Sequence, residues 1–223
     1  MLSRRNFLRT VAAAAAVLPS AAMSEVRCTQ PNFMGVRQCS VGVPGIRVRA
    51  AGQECIYWCW AACIQSVLAM HGCMIGDQRV VVRRLFGDMR CATATGEQIF
   101  HATRGHWQDD HGSRFWVEPN VLIDTDPNPF DPFGRPKVFN PQAIMIAANE
   151  LAEGRPLITG ALGHATVMTS MTYAGSAQTG VVIQEIIVRD PYVPLGHSAV
   201  RRQYSPQEAM NLMFLAAVRV RRI

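Results

Sequence analysis

All seven cysteines of this 223-residue chain fall between positions 28 and 91, and none follows. Any covalent cross-linking by Cys28, Cys39, Cys55, Cys59, Cys63, Cys73 and Cys91 is therefore confined to the first half of the fold. Whether they cross-link depends on the compartment, because disulfides persist outside the reducing cytosol. The N-terminus bears on that question. It reads MLSRRNFLRTVAAAAAVLPSAAMS, with Arg4, Arg5 and Arg9 ahead of an apolar run and a small-residue end. The apolar run falls well short of the ~20 residues that span a bilayer. Residues 1–22 thus read as an export signal, with Ser20 and Ala22 at the two recognition positions for cleavage.

SRRNFLR resembles a twin-arginine export signal, in which an aromatic and a leucine follow the arginine pair. The resemblance implies a periplasmic or secreted protein with no membrane insertion after cleavage. Residues 23–223 are then enough for one domain with its own core. Behind an export signal several cysteines should pair, and an odd count leaves at least one thiol free. Cys28–Cys39 and Cys73–Cys91 are the favoured pairs, since each flanks a short glycine-containing segment.

The composition is globular, with 49% hydrophobic and 17% charged residues. The formal charge is +6, and loss of the three signal arginines leaves +3. Lys137 is the sole lysine, and no basic cluster interleaves with aromatics. A nucleic-acid role has little support.

Residues 23–52 read as an extended lead-in without helical period. From Cys59 to His71, apolar and small residues recur at helical spacing, and Gly72 stops the run. Asp77 is placed to cap a second helix ending at Gly87, and Thr95 a third through TGEQIFHATRG. Residues 105–140 are rich in turn formers, with short strands expected at 115–117 and 121–123 and Phe130 and Phe133 among the turns. Beyond them, PQAIMIAANELAEG reads as an amphipathic helix. PLITGAL, HATVMTSMTYAG and VVIQEIIVRDP read as strands, followed by a short helix in SPQEAMNLM and a last strand in FLAAVRVRR. Helices first and strands later argue α+β: a helical half at 53–140 and a β-rich half at 141–223.

The chemistry concentrates in QECIYWCWAAC. A cysteine is nucleophilic as thiolate, so its pKa of about 8.5 must fall. A helix N-terminus and a neighbouring histidine both achieve this. Cys59 opens the first predicted helix, where unpaired backbone N–H groups favour an anion. Those groups also suit an oxyanion forming on an attacked carbonyl, and Gln53 supplies a further amide donor.

The spacing Q-x5-C-W resembles the papain-like cysteine peptidases. QECIYWCWAAC is closest to their bacterial branches, the staphopain-like, avirulence-effector and bacteriocin-processing peptidases. Tyr57 and Trp58 stand where the plant and lysosomal enzymes carry Gly-Ser or Gly-Ala. The resemblance implies a two-part α+β fold with the active site in the cleft between its halves. It also implies a histidine opening a later strand and an Asn or Asp closing the next. Here those are His164, after Gly163, and Asp190, before Pro191. By that resemblance Cys59 is the nucleophile, Gln53 an oxyanion donor, His164 the base and Asp190 its orienting partner. Trp58 and Gly163 would border the substrate, and Trp60 would pack beneath the helix. The expected substrate is a peptide or protein, the expected state a monomer, and no cofactor or metal is implied.

Plainer readings compete. Cys59 can be a half-cystine, with Cys55 and Cys63 as rival thiols four residues to either side. His101, His106 and His111 recur every five residues, which is no helical face, so a metal site is not expected there. Asp190 can be a simple turn former before proline. Two other functions use the same constellation: an acyl transferase or peptidoglycan amidase with the same triad, and a non-catalytic binding module with Cys59 oxidised.

Overall fold

The computed structural model describes residues 26–43, 50–124, 138–176 and 180–223. The signal at 1–22 and the turn-rich residues 125–137 lie outside these. The chain is α+β: helices pack on a large sheet whose described strand pairs are all antiparallel. Among the described residues no helix is long and apolar enough to cross a membrane.

The lead-in supplies β1 (Arg27–Cys28) and β2 (Arg37–Gly42). Three helices follow. The first, α1 (Cys59–Met70), is buried from Cys59 to Leu68 and carries no charge in either terminal turn. A helix apolar on nearly every side belongs inside the molecule, and its buried Gln65 and Ser66 donate to the Ile75 and Ala62 carbonyls. Asp77 caps α2 (Gln78–Phe86), which Gly87 ends with φ 76°. Thr95 and Gln98 form a capping box at the start of α3 (Gly96–Thr103).

Residues 105–124 depart from the loop-rich expectation. They form a hairpin, β3 (Gly105–Gln108) and β4 (Arg114–Asp124), and β4 runs unbroken where two short strands were expected. Pro119 inside β4 pairs with Val218 of the last strand, and the alternating burial of its neighbours outweighs its turn signal. After β5 (Val138–Phe139), Asn140 caps α4 (Pro141–Ala152). The remainder is β6 (Leu157–Ala161), β7 (His164–Ser176), β8 (Gly180–Asp190), β9 (Val200–Gln203), α5 (Pro206–Met210) and β10 (Leu212–Arg222). The short β9 had not been expected from the sequence.

The sheet runs β1-β2-β7-β6-β10-β4-β3, with β8 also pairing β7 and carrying β5 and β9. It therefore draws strands from both parts of the chain. Each face has its own core. Val167, Ala216 and Val218 pack with α1, α2 and α3, while Met168, Leu215 and Ala217 pack with α4. Alternate residues of β7 and β10 thus serve opposite layers, as a strand's period of two requires.

Two disulfides form, Cys28–Cys39 and Cys55–Cys91. The first joins directly paired residues of β1 and β2, as expected. The second corrects the expected Cys73–Cys91 pair. Cys73 is fully buried beside α1, and the loop around Cys91 lies instead against the segment that leads into α1. Cys59, Cys63 and Cys73 remain as thiols.

Candidate active site

The entry to α1 is held at three points against residues 90–92. Cys55 is tied to Cys91, with the two Cα atoms 6.1 Å apart. The Trp58 indole N–H donates to the Arg90 carbonyl and that of Trp60 to the Ala92 carbonyl, each at 3.0 Å. Trp60 also meets Phe86 edge-on. Trp58 is 6% exposed and belongs to the core on this face. Trp58, expected to border the substrate, is thus buried with its indole N–H bonded to Arg90. Trp60 packs beneath the helix as expected.

Trp58 occupies the N-cap of α1 and offers no side-chain cap. The first turn therefore lacks the Ser, Thr or Asp oxygen that usually accepts its N–H groups, and the residue at its head is Cys59.

On the sheet side, β6 and β7 are joined by a two-residue turn, Leu162–Gly163, with φ 52° and 75°. Positive φ at both positions is the geometry that matches a hairpin's twist. Glycine adopts it freely, whereas leucine does so under strain. This turn pairs His164 with Ala161 and fixes where the imidazole begins. Its Nε2 lies 2.7 Å from Oδ1 of Asp190 at the end of β8. The same Oδ1 accepts the Tyr192 N–H at 2.9 Å. The Cys59 thiol is close enough to His164 for each to shift the other's proton affinity.

These contacts set the charges. Burial pushes the Cys59 thiol up, but hydrogen bonds from His164 and the Ala165 and Trp60 N–H groups, with the imidazolium charge, bring it below its ordinary 9.0. Burial pushes His164 down, yet Asp190 and the Cys59 sulfur raise it to about 9. Burial acts against the Asp190 carboxylate, while His164, the Tyr192 N–H and Arg202 hold it near about 2. All three shifts favour a thiolate–imidazolium–carboxylate row. Cys63 lies one turn further along α1, and burial drives its thiol well above the ordinary range. Cys55 is oxidised. Neither rival thiol is placed to be a nucleophile.

Gln53 is buried and lies beside this row. Its backbone N–H donates to the Pro191 carbonyl, directly after Asp190, at 2.9 Å. Its Nε2 donates to the Ile56 carbonyl at 2.8 Å, and its Oε1 is buried without a partner. Gly52 fixes this approach, because a Cβ there would stand 2.2 Å from the His197 carbonyl oxygen. Gly163 is exposed at the hairpin tip, with open space around its Cα.

Two residues escaped the sequence reading. Arg202 donates to Asp190 Oδ2 at 2.6 Å, and Glu208 receives its other two nitrogens. His101, His106 and His111 fall on α3, on β3 and in the β3–β4 turn, and among the described residues no cluster could hold a metal ion. In comparisons with known proteins, no family model and no curated protein matches this chain.

Proposed function

We propose that this protein is an exported cysteine peptidase of papain-like type, with Cys59 as nucleophile. The observation that carries the reading is His164, whose Nε2 is bound to Asp190 at 2.7 Å while the imidazole and the Cys59 thiol shift each other's proton affinity. A histidine oriented by a carboxylate and paired with a thiol at a helix start is a charge-separated nucleophile–acid pair.

In the proposed cycle the Cys59 thiolate attacks a peptide carbonyl. The oxyanion draws on the Cys59 backbone N–H and on the Gln53 amide, once that amide turns from Ile56. The His164 imidazolium gives its proton to the leaving amine, and the acyl group stays on sulfur. Water, deprotonated by the now neutral His164, then attacks the thioester and regenerates the thiolate. Asp190 keeps its proton count throughout and stabilises the imidazolium.

The papain-like arrangement is part of this proposal. It is supported by the order Gln53, Cys59, His164, Asp190 and by a helix bearing the thiol set against a β-rich part bearing the base. Export is supported by the two disulfides.

The test is covalent labelling with a peptidyl epoxide, mapping of the labelled peptide, and assay of casein cleavage. Labelling at Cys59 with cleavage abolished in C59A is the expected result. Labelling at Cys63 or Cys73, or cleavage retained in C59A, would refute the assignment. Acyl transfer to hydroxylamine faster than hydrolysis would instead identify a transferase on the same triad.

A further inference from the structure

Behind the proposed triad the polar contacts continue outward. Asp190 Oδ1 serves His164 and the Tyr192 N–H, which leaves Oδ2 for Arg202 Nε at 2.6 Å. The remaining guanidinium nitrogens fork onto Glu208, Nη1 to Oε2 at 2.9 Å and Nη2 to Oε1 at 2.7 Å. Glu208 in turn closes the capping box of α5, accepting the Ser205 N–H at 2.8 Å and returning its own N–H to Ser205 Oγ at 3.2 Å. The guanidinium carbon also stands 5.4 Å over the Tyr204 ring. That ring is buried, and its hydroxyl meets Thr166 Oγ1 on β7 at 2.7 Å.

Every donor of Arg202 used here has a fixed acceptor, and every acceptor is itself anchored to a different element. The planar fork onto Glu208 fixes the guanidinium, so its Nε–H on Oδ2 and the Tyr192 N–H on Oδ1 hold the Asp190 carboxylate at both oxygens. The side chains of Asp190 and Glu208 are 12% and 18% exposed, so water offers little competition.

We propose that Arg202, clamped by Glu208, is a positioning residue that locks the Asp190 carboxylate onto His164 and so maintains the reactive Cys59. The proposal rests on the peptidase reading of Cys59 and His164. Arg202 touches neither the thiol nor the imidazole and acts only through Asp190. The titratable and charged groups that interact with Asp190 are His164 on β7, Cys63 on α1 and Arg202 on β9, with Glu208 behind Arg202 on α5.

The experiment is the pH profile of Cys59 alkylation by iodoacetamide, located by peptide mapping, for the full chain and for R202M, R202K and E208Q. A wild-type acid limb below the ordinary thiol range is the signature of the thiolate–imidazolium pair. If wild type itself titrates as an ordinary thiol, the peptidase reading fails before Arg202 is at issue. Given the signature, R202M should lower the alkylation rate near neutral pH by about tenfold to a hundredfold and move the acid limb upward, as loss of a group orienting a functional side chain commonly does. R202K keeps a charge but not the fork, so it should fall between the two. E208Q, which retains the length of the side chain, should shift the limb in the same direction by less. E208Q also carries the test if R202M does not fold. An unchanged limb in folded R202M, or in E208Q where R202M is unfolded, would overturn the proposal. So would a lowered melting temperature with the alkylation profile intact, because that marks a purely structural bridge.

Discussion

Cys59 and His164 are linked so closely that neither titrates alone, and this coupling governs reactivity with pH. Below the lowered range of Cys59 the sulfur is protonated and unreactive; above about 9 His164 loses the proton that a leaving amine needs. If the proposed peptidase reading holds, hydrolysis should therefore rise from acid pH, level off, and fall through about pH 9, as a pH–rate profile would record. A profile still rising above pH 9 would contradict the imidazolium assignment. Asp190 predicts a second dependence. Its carboxyl falls from 3.8 to about 2 on folding, so its contribution to stability is complete above pH 3.8 and is lost as pH drops through about 2. Acid unfolding of D190N should lack that part of the slope. Gly52 makes a steric prediction: G52A puts a Cβ 2.2 Å from the His197 carbonyl oxygen. It should destabilise by about 1–3 kcal/mol in denaturant titrations and slow alkylation of Cys59 through the displaced Gln53.

At the scale of elements, the Cys55–Cys91 disulfide closes a stretch that contains α1 and α2. A closed loop of this size is worth about 2–4 kcal/mol. C55S/C91S should lose stability of that order and, unlike removal of Cys28–Cys39 at the far edge of the sheet, should also impair the site. Much of this level was legible in the sequence. Asp77, Thr95, Gly72 and Gly87 mark helix ends by local backbone chemistry, and each end falls where the residue type places it. His164 and Asp190 were legible because each sits at the terminus of an apolar run. Arg202 was not: β9 has four residues, and its position depends on pairing with β8 rather than on any period of its own. The partner of Cys91 was hidden for the same reason, since the packing of Trp58 and Trp60 onto residues 90–92 settles it. The burial of Trp58 was not legible either, because an amphipathic ring suits a cleft wall and a core equally well.

Across the whole molecule, two cores share one sheet, and neighbouring residues of β7 report on different layers. Val167 faces α1, whereas Met168 faces α4. M168A should cost about 2–5 kcal/mol in thermal or denaturant unfolding, with the pH profile of Cys59 alkylation preserved in the folded fraction. V167A, on the α1 side, should alter that profile as well. Equal effects on alkylation would show that the two layers are not mechanically separate. The two-residue turn at Leu162–Gly163 imposes a constraint of another kind, one of chain length. Strand residues alternate between faces, so an extra residue that shifted the β6–β7 register would carry His164 to the opposite side of the sheet from its partners. A side chain at Gly163 would meet open space but a strained backbone, and insertions there would disconnect the imidazole from the carboxylate. The segment has room for side chains, yet its backbone restricts which residues fit and its length is fixed.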